Sequence, residues 1–387
     1  MTLETKKHEF FMREALKEAK KAYKKDEIPV GAVIVRNNKV IALEGSGGTK
    51  KMIRKIKIFI NIFVIIILFL IIGDIFFKIK GHGYNNEFNE SQLERYVYPY
   101  DMFRSKPNVL DHNSHGFRGP ILEDYENKKI IKIGFFGGST GYFGNPTIPN
   151  LIQKNLKKNG IENVVFNFSS VASNHSQHIH RMVQFLEWKF DLIIFYGGGN
   201  ESLGYYYYDT RPGNPYNFFI RNELSPLKHS LIRYSSIFGK IDKISGGAIS
   251  GYKKMIEYRD RDYDKWVNEI SNDYIKKLNI AKRITNGSVN PEICKKTIFL
   301  PIIQPIKLDF NLNREDFKKN YPRLKKLVDS IILNKEFEII ENNLNLTNFT
   351  DFIKFSDELH ILQESKPIVA KEISSRIEYL INNKCLF

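Results

Sequence analysis

The stretch Ile58–Phe77, "IFINIFVIIILFLIIGDIFF", limits what this chain can fold into more than any other part of it. Its 20 residues hold one acid, Asp74, and one amide, Asn61. At about 1.5 Å per residue, a helix of this length covers a bilayer core of roughly 30 Å. A core helix of a soluble domain keeps a polar face, and this stretch has none. A transmembrane helix over 58–77 is therefore expected. Lys50, Lys51, Arg54, Lys55 and Lys57 crowd its N-terminal side, while Lys78 and Lys80 follow it, then Glu87, Glu90 and Glu94. The denser positive flank stays cytoplasmic. This predicts a single pass through the inner (cytoplasmic) membrane, N-terminus inside, with the large C-terminal part periplasmic or otherwise extracytoplasmic. No small-x-small cleavage pattern follows, which favours an uncleaved anchor over a signal peptide.

At 387 residues and 42% hydrophobic, the rest can bury a large core. The formal charge of +16 invites nucleic acid as a partner. No RNP or zinc-finger signature accompanies it, and the lysines are spread along the chain, so none is expected. Cys294 and Cys385 stand far apart in no CxxC pattern, which excludes a cysteine-based metal cluster. A disulfide and two free thiols both stay open.

Before the apolar run, Phe11, Ala15, Ala19 and Ala22 recur at helical spacing. A strand pattern follows over Val30–Val35, then an Asn37-Asn38 turn and a second strand from Val40. A helix and a hairpin are too small to close a core alone. His8, Glu9, Met12, Arg13, Ala15, Leu16 and Pro29-Val30-Gly31-Ala32-Val33 resemble the start of bacterial tRNA adenosine deaminases, over about the first 43 residues. Such enzymes hold zinc through H-x-E and P-C-x-x-C segments. Neither occurs in this chain. Residues 1–44 thus read as a truncated deaminase-like fragment without deaminase activity, and 45–57 as a flexible linker and basic juxtamembrane segment. Met52 reads as a natural start for a membrane protein, and residues 1–51 as a fused piece.

From about Gly81, strand and helix signals alternate. Strands are expected at Ile130–Phe136, Val164–Phe168, Leu192–Tyr196, Ile298–Ile303 and Glu338–Ile340, with helices at Pro149–Asn159 and Ser176–Trp188. Near-continuous apolar strands separated by helices predict a parallel sheet covered on both faces, with ligands beyond the strands' carboxyl ends. The first strand ends in Gly137-Gly138-Ser139-Thr140. A glycine pair turns the backbone sharply and presents the next hydroxyl at a helix start, which suits a nucleophile or a plain structural turn. It is not a phosphate loop, since no G-x-x-x-x-G-K-[ST] is present. The third strand ends in Gly197-Gly198-Gly199-Asn200-Glu201, where Asn200 can serve as an oxyanion donor or as a helix cap. Asp357 and His360 stand three apart near the C-terminus, a spacing that lets a carboxylate orient an imidazole.

In this order, Ser139, Asn200 and Asp357-x-x-His360 resemble the SGNH hydrolase family, also called GDSL esterases. "NSHGFRGP", Asn113–Pro120, and "LPIIQP", Leu300–Pro305, resemble stretches of its membrane-anchored members. The resemblance covers roughly 81–387, with 205–290 matching poorly. It implies a three-layer α/β/α, flavodoxin-like domain over 78–387, with a lid or insertion at about 203–290. It implies Ser139 as nucleophile, His360 as base and Asp357 as its orienter. The oxyanion would be held by N–H groups of Ser139 and Ala172 and by Asn200. Two positions depart from the family pattern. Gly138 stands where an acid usually precedes the serine, and Ala172 stands near the usual glycine of the second block, with Ser170 as a second alignment.

His175, His178 and His180 have spacings that do not share one helical face, so no metal is expected. No organic cofactor is implied either. Tyr205 and Tyr206, in the run Tyr205–Tyr208, could floor a sugar site by stacking or pack over the core. The expected function is a membrane-anchored serine esterase acting on acylated cell-envelope glycans or small esters. An O-acyltransferase using the same residues is the alternative, and an inactive glycan-binding protein a third reading. Oligomeric state is left open.

Overall fold

The computed structural model describes residues 3–26, 28–45, 48–79, 95–98, 102–126, 128–207, 210–212, 235–246, 252–287, 291, 293–311 and 315–385. The chain divides into two units. One is Met1–Gly83 with Ser235–Ile237; the other is Tyr84–Tyr234 with Phe238–Phe387.

In the first unit, helix α1 (Leu3–Lys24) precedes an antiparallel hairpin, β1 (Gly31–Arg36) and β2 (Lys39–Gly45). Asn37 and Asn38 turn the hairpin with φ of 50° and 58°, the left-handed pair that a two-residue hairpin loop requires. Several of the hairpin's apolar residues remain on the surface: Ile34, Ile41 and Leu43 are exposed, as is Val30 before it. Helix α2 spans Gly48–Ile79. Its segment Arg54–Ile79 is long and apolar enough to cross a membrane, and none of its apolar window is buried. Of the expected linker and basic juxtamembrane segment at 45–57, the part from Gly48 onward is helical. The basic residues there are good helix formers, and they continue the helix of the apolar run.

In the second unit, β3 (Arg95–Tyr98) and β4 (Met102–Ser105) form a small antiparallel pair. The main sheet contains β5 (Ile131–Gly137), β6 (Asn163–Asn167), β7 (Leu192–Gly197), β8 (Ile298–Ile303) and β9 (Leu344–Asn345). All pairings are parallel, in the order β6-β5-β7-β8-β9. This is the flavodoxin-like 2-1-3-4-5 order. Four of the five strands lie within a residue or two of their expected positions. The fifth does not: Lys335–Glu338 is a helical turn capped by the Asn334 side chain, and the strand lies later, at Leu344–Asn345. A two-residue strand carries too little periodicity to be seen in a sequence.

The strands read as unbroken apolar runs because both faces are covered. On one face Phe136, Phe166, Phe195 and Phe299 meet α5 (Tyr263–Gly287) and α6 (Glu315–Ile332) through Trp266, Ile270, Leu278, Leu324 and Leu327. On the other face Ile133, Phe135, Val165, Ile194 and Leu300 meet α3 (Ile148–Lys158) and α7 (Lys366–Lys384) through Ile152, Leu156, Ile373 and Ile377. Helix α4 (His175–Gln184) joins the first layer through Met182. The three-layer α/β/α expectation is met. Part of the stretch expected as a lid or insertion, about 203–290, is the helix at 263–287. That stretch is a core helix, with Ile270, Leu278 and Ala281 fully buried against the sheet. Its charged residues had hidden a stripe recurring at helical spacing. Cys294 and Cys385 form a disulfide.

Candidate active site

Strand order reverses at β5, whose neighbours β6 and β7 leave in opposite directions along the sheet. Open α/β sheets place their ligand crevice beyond the strand ends at such a switch point. Ser139 follows β5 and begins a short helical turn, Ser139–Tyr142. Asn200 follows β7 and begins a turn of five residues, Asn200–Gly204. Both therefore open onto one crevice.

The third contribution comes from a tight loop before α7. An antiparallel bridge between Phe355 and Ile361 closes it, and the Ser356 N–H donates to the His360 carbonyl at 2.7 Å. Within the loop Asp357 Oδ1 accepts the N–H groups of Leu359 and His360, at 2.9 and 2.8 Å. Its other oxygen, Oδ2, lies 2.6 Å from His360 Nδ1. His360 Nε2 lies 2.6 Å from Ser139 Oγ. The carboxylate favours the tautomer with hydrogen on Nδ1, which leaves Nε2 free to accept from the serine hydroxyl. Burial pushes the Asp357 carboxyl up. The hydrogen bond from His360 and the two backbone donors more than offset it, so the net shift is below the ordinary carboxylate value.

The residues around Ser139 explain themselves by contact. A Cβ at position 138 would lie 2.5 Å from Asn200 Nδ2 and 3.3 Å from the Ser173 carbonyl. Glycine stands before the serine because the Asn200 amide occupies that space. That amide donates to the Ser173 carbonyl at 2.7 Å, tying the β7 turn to the loop after β6. Ala172, in that loop, has φ of 61°, whereas Ser170 donates its N–H to Gly137 and shows no such strain. The left-handed state is the one glycine takes without cost, and alanine there costs on the order of 1 kcal/mol. Thr140 donates to Gln304 at 3.2 Å, which joins the serine turn to the end of β8. The motif Asn113–Pro120 also has a place. Arg118 from it holds the carbonyls of Tyr142 and Gly144, at 2.5 and 3.0 Å, just after the serine turn. A cleft of about 300 Å³ lies here, lined by Thr140, Phe143, Ser356, Asp357, His360, Ile361 and Lys366.

Two expected sugar-stacking residues are elsewhere. Tyr205 and Tyr206 are buried in the core layer at 1% and 2% exposure, so neither offers a face to a sugar. The Tyr205 hydroxyl meets Lys277 and Asp273, and the Tyr206 hydroxyl meets Asn320. Aromatic runs favour burial when their hydroxyls find partners inside.

Of the three histidines, His175 and His178 come together and His180 is exposed. Glu201 joins the first two from a different element. Among the described residues, these three offer metal-ligating atoms within 4.8 Å of one another. Their mutual contacts are hydrogen-bond lengths: His175 Nδ1 lies 3.1 Å from His178 Nδ1 and 3.1 Å from Glu201 Oε1. Spacing along one helix could not reveal a partner contributed by the β7 turn.

Comparisons with known proteins address both parts of the chain. Residues 5–54 match the family model described as the cytidine and deoxycytidylate deaminase zinc-binding region. A tRNA-specific adenosine deaminase of Bacillus subtilis (strain 168) is 59% identical over 34 residues, 9% of this chain. The match spans about a fifth of that relative's length, 21%. Similar solved structures include a lipase/acylhydrolase from Enterococcus faecalis, with TM-score 0.36 and 13% identity, covering 66% of this chain and 98% of that one. A carbohydrate acetylesterase family member from Sinorhizobium meliloti has TM-score 0.34 and 10% identity, covering 65% and 100%. The acetylxylan esterase Axe2 from Geobacillus stearothermophilus has TM-score 0.33 and 11% identity, covering 64% and 94%. Their likeness is too low to argue an activity from.

Two outcomes follow from the geometry. In a crystal structure of Gly138→Ala, the Asn200 side chain should swing away and its bond to the Ser173 carbonyl should break, with the 138 backbone unchanged. An intact bond would contradict the close-approach account. The Asp357 shift fixes a sign. Its folded value is below the unfolded value near 3.8, so its stabilisation is full above that value and is lost as pH falls through the folded value. In an NMR titration Asp357 should stay ionised from neutral pH down to about pH 4. Protonation well above that would contradict the assignment.

Proposed function

We propose that the second unit is a serine esterase of the SGNH type, held at a membrane by α2 and acting on acylated cell-envelope glycans. One observation carries this reading: the hydrogen-bonded chain from Ser139 Oγ to His360 Nε2 and from His360 Nδ1 to Asp357 Oδ2, at 2.6 Å each. A serine hydroxyl is a weak nucleophile until a base takes its proton. As Ser139 Oγ attacks the ester carbonyl, its proton passes to His360 Nε2, and Asp357 stabilises the imidazolium. The carbonyl oxygen becomes an oxyanion, held by Asn200 and the N–H groups of Ser139 and Ala172. His360 then gives its proton to the departing sugar oxygen, leaving an acyl-serine. Water attacks that acyl group with His360 again as base, releasing the acid and restoring Ser139.

The cleft volume of about 300 Å³ lies at the small end of ligand sites and suits a short acyl group. The Cys294–Cys385 disulfide fits an oxidising compartment. With the basic flank before α2, it supports a position of the second unit outside the cytoplasm. Residues 1–44 carry a deaminase-like start without H-x-E or P-C-x-x-C, and so no zinc-dependent deamination is assigned to them.

The test is hydrolysis of a chromogenic acetyl ester by the detergent-solubilised full chain. Ser139→Ala should lower kcat by on the order of 10⁴ or more, and Asp357→Asn by about 10⁴. Activity that survives Ser139→Ala refutes the reading. A burst that stalls in water and resumes on adding a sugar acceptor would replace hydrolysis by acyl transfer on the same serine.

A further inference from the structure

Glu201 is 1% exposed, and polar atoms that deep must be held by partners. Its two oxygens go in two directions. Oε1 accepts the backbone N–H of His175 at 2.7 Å. Oε2 accepts the backbone N–H of Gly198 at 2.7 Å. His175 is the first residue of α4 and ends the loop that leaves β6. Gly198, with φ of 102°, begins the turn that leaves β7. Those two strands flank β5, beyond whose end Ser139 stands. One carboxylate thus bridges the two loops on either side of the serine.

Its neighbour makes the reciprocal stitch. Asn200 Nδ2 donates to the Ser173 carbonyl, so residues 200 and 201 both reach from the β7 turn into the β6 loop. The Asn200 amide keeps its aim only while Ser173 stays where it is. Ala172, held in its left-handed state, belongs to the same loop. His175 and His178 line the far side of the carboxylate, with His175 stacked on Tyr274. Burial holds both imidazoles below their ordinary range; Lys277, paired with Asp273, acts on His175 and the buried Arg181 guanidinium acts on His178.

We propose that Glu201 is a positioning residue for the oxyanion donors: by binding the N–H groups of His175 and Gly198 it fixes Asn200 and the Ala172 loop relative to Ser139. This rests on the esterase reading. Both oxygens face donors, so only a carboxylate serves both. In Glu201→Gln one amide N–H₂ would face a backbone N–H, and one of the two ties is lost.

The experiment uses the detergent-solubilised full chain and a chromogenic acetyl ester, with thermal unfolding as the fold control. Glu201→Gln should lower kcat at least about 10-fold with KM nearly unchanged, since loss of one oxyanion donor outright costs about 10²–10³. The loss should not multiply with that of Asn200→Ala, because both act on the same donor. A second pair keeps the idea exposed if Glu201→Gln fails to fold. His175→Pro removes the N–H at a first helical position where proline fits, and His175→Ala keeps it. The proline variant should be slower than the alanine variant by about 10-fold. Unchanged kcat in Glu201→Gln, losses that multiply with Asn200→Ala, or equal rates for the His175 pair would overturn the proposal. So would stoichiometric zinc bound by the wild type and lost in Glu201→Gln, which would make Glu201 a metal ligand. If the wild type shows no Ser139-dependent turnover, the esterase reading falls and this inference with it. If turnover is present and the variants are unaffected, the inference alone falls.

Discussion

A sheet buried on both faces can show chemistry only at its ends. Helix layers cover β5 to β8 completely, and every residue of those strands is buried. Backbone groups inside are consumed by parallel pairing. What remains free is the set of turns beyond the carboxyl ends, and the reversal at β5 opens a gap between them. Ser139, Asn200 and Gln304 reach that gap because each stands just beyond the end of a strand. Asp357 and His360 reach it from a loop pinned beside α7. The position of the site is thus a consequence of how the core is covered.

Local signals in the sequence follow from the same physics. The apolar strands were legible because full burial removes the polar alternation. Gly138-Ser139 and Asp357-x-x-His360 stood out through the family resemblance, since each pattern alone also fits a plain turn or a surface pair. The reason for Gly138 was not legible, since it is the Asn200 amide, 62 residues later, that fills the space a side chain would need. Glu201 was invisible for a similar reason. Its partners are backbone N–H groups, which every residue has. Tyr205 and Tyr206 stayed open between a sugar site and the core because an aromatic run has the same composition in both. The disulfide could not be read either, because Cys294 and Cys385 are separated by 91 positions.

The first unit teaches a different lesson. Its 34-residue identity with a deaminase is high, and its fold keeps the helix and hairpin of the matched stretch. Within the described part of 1–79, Ala22 is the one buried residue. That match spans 34 residues, and neither H-x-E nor P-C-x-x-C occurs in the chain.

The central claim is that Ser139 is activated by His360. Fluorophosphonates react with a serine only when a neighbouring base has made it nucleophilic. The full chain should therefore take up one such label, on the peptide containing Ser139, and His360→Ala should prevent it. Labelling that persists in His360→Ala, or that falls on another serine, would contradict the account.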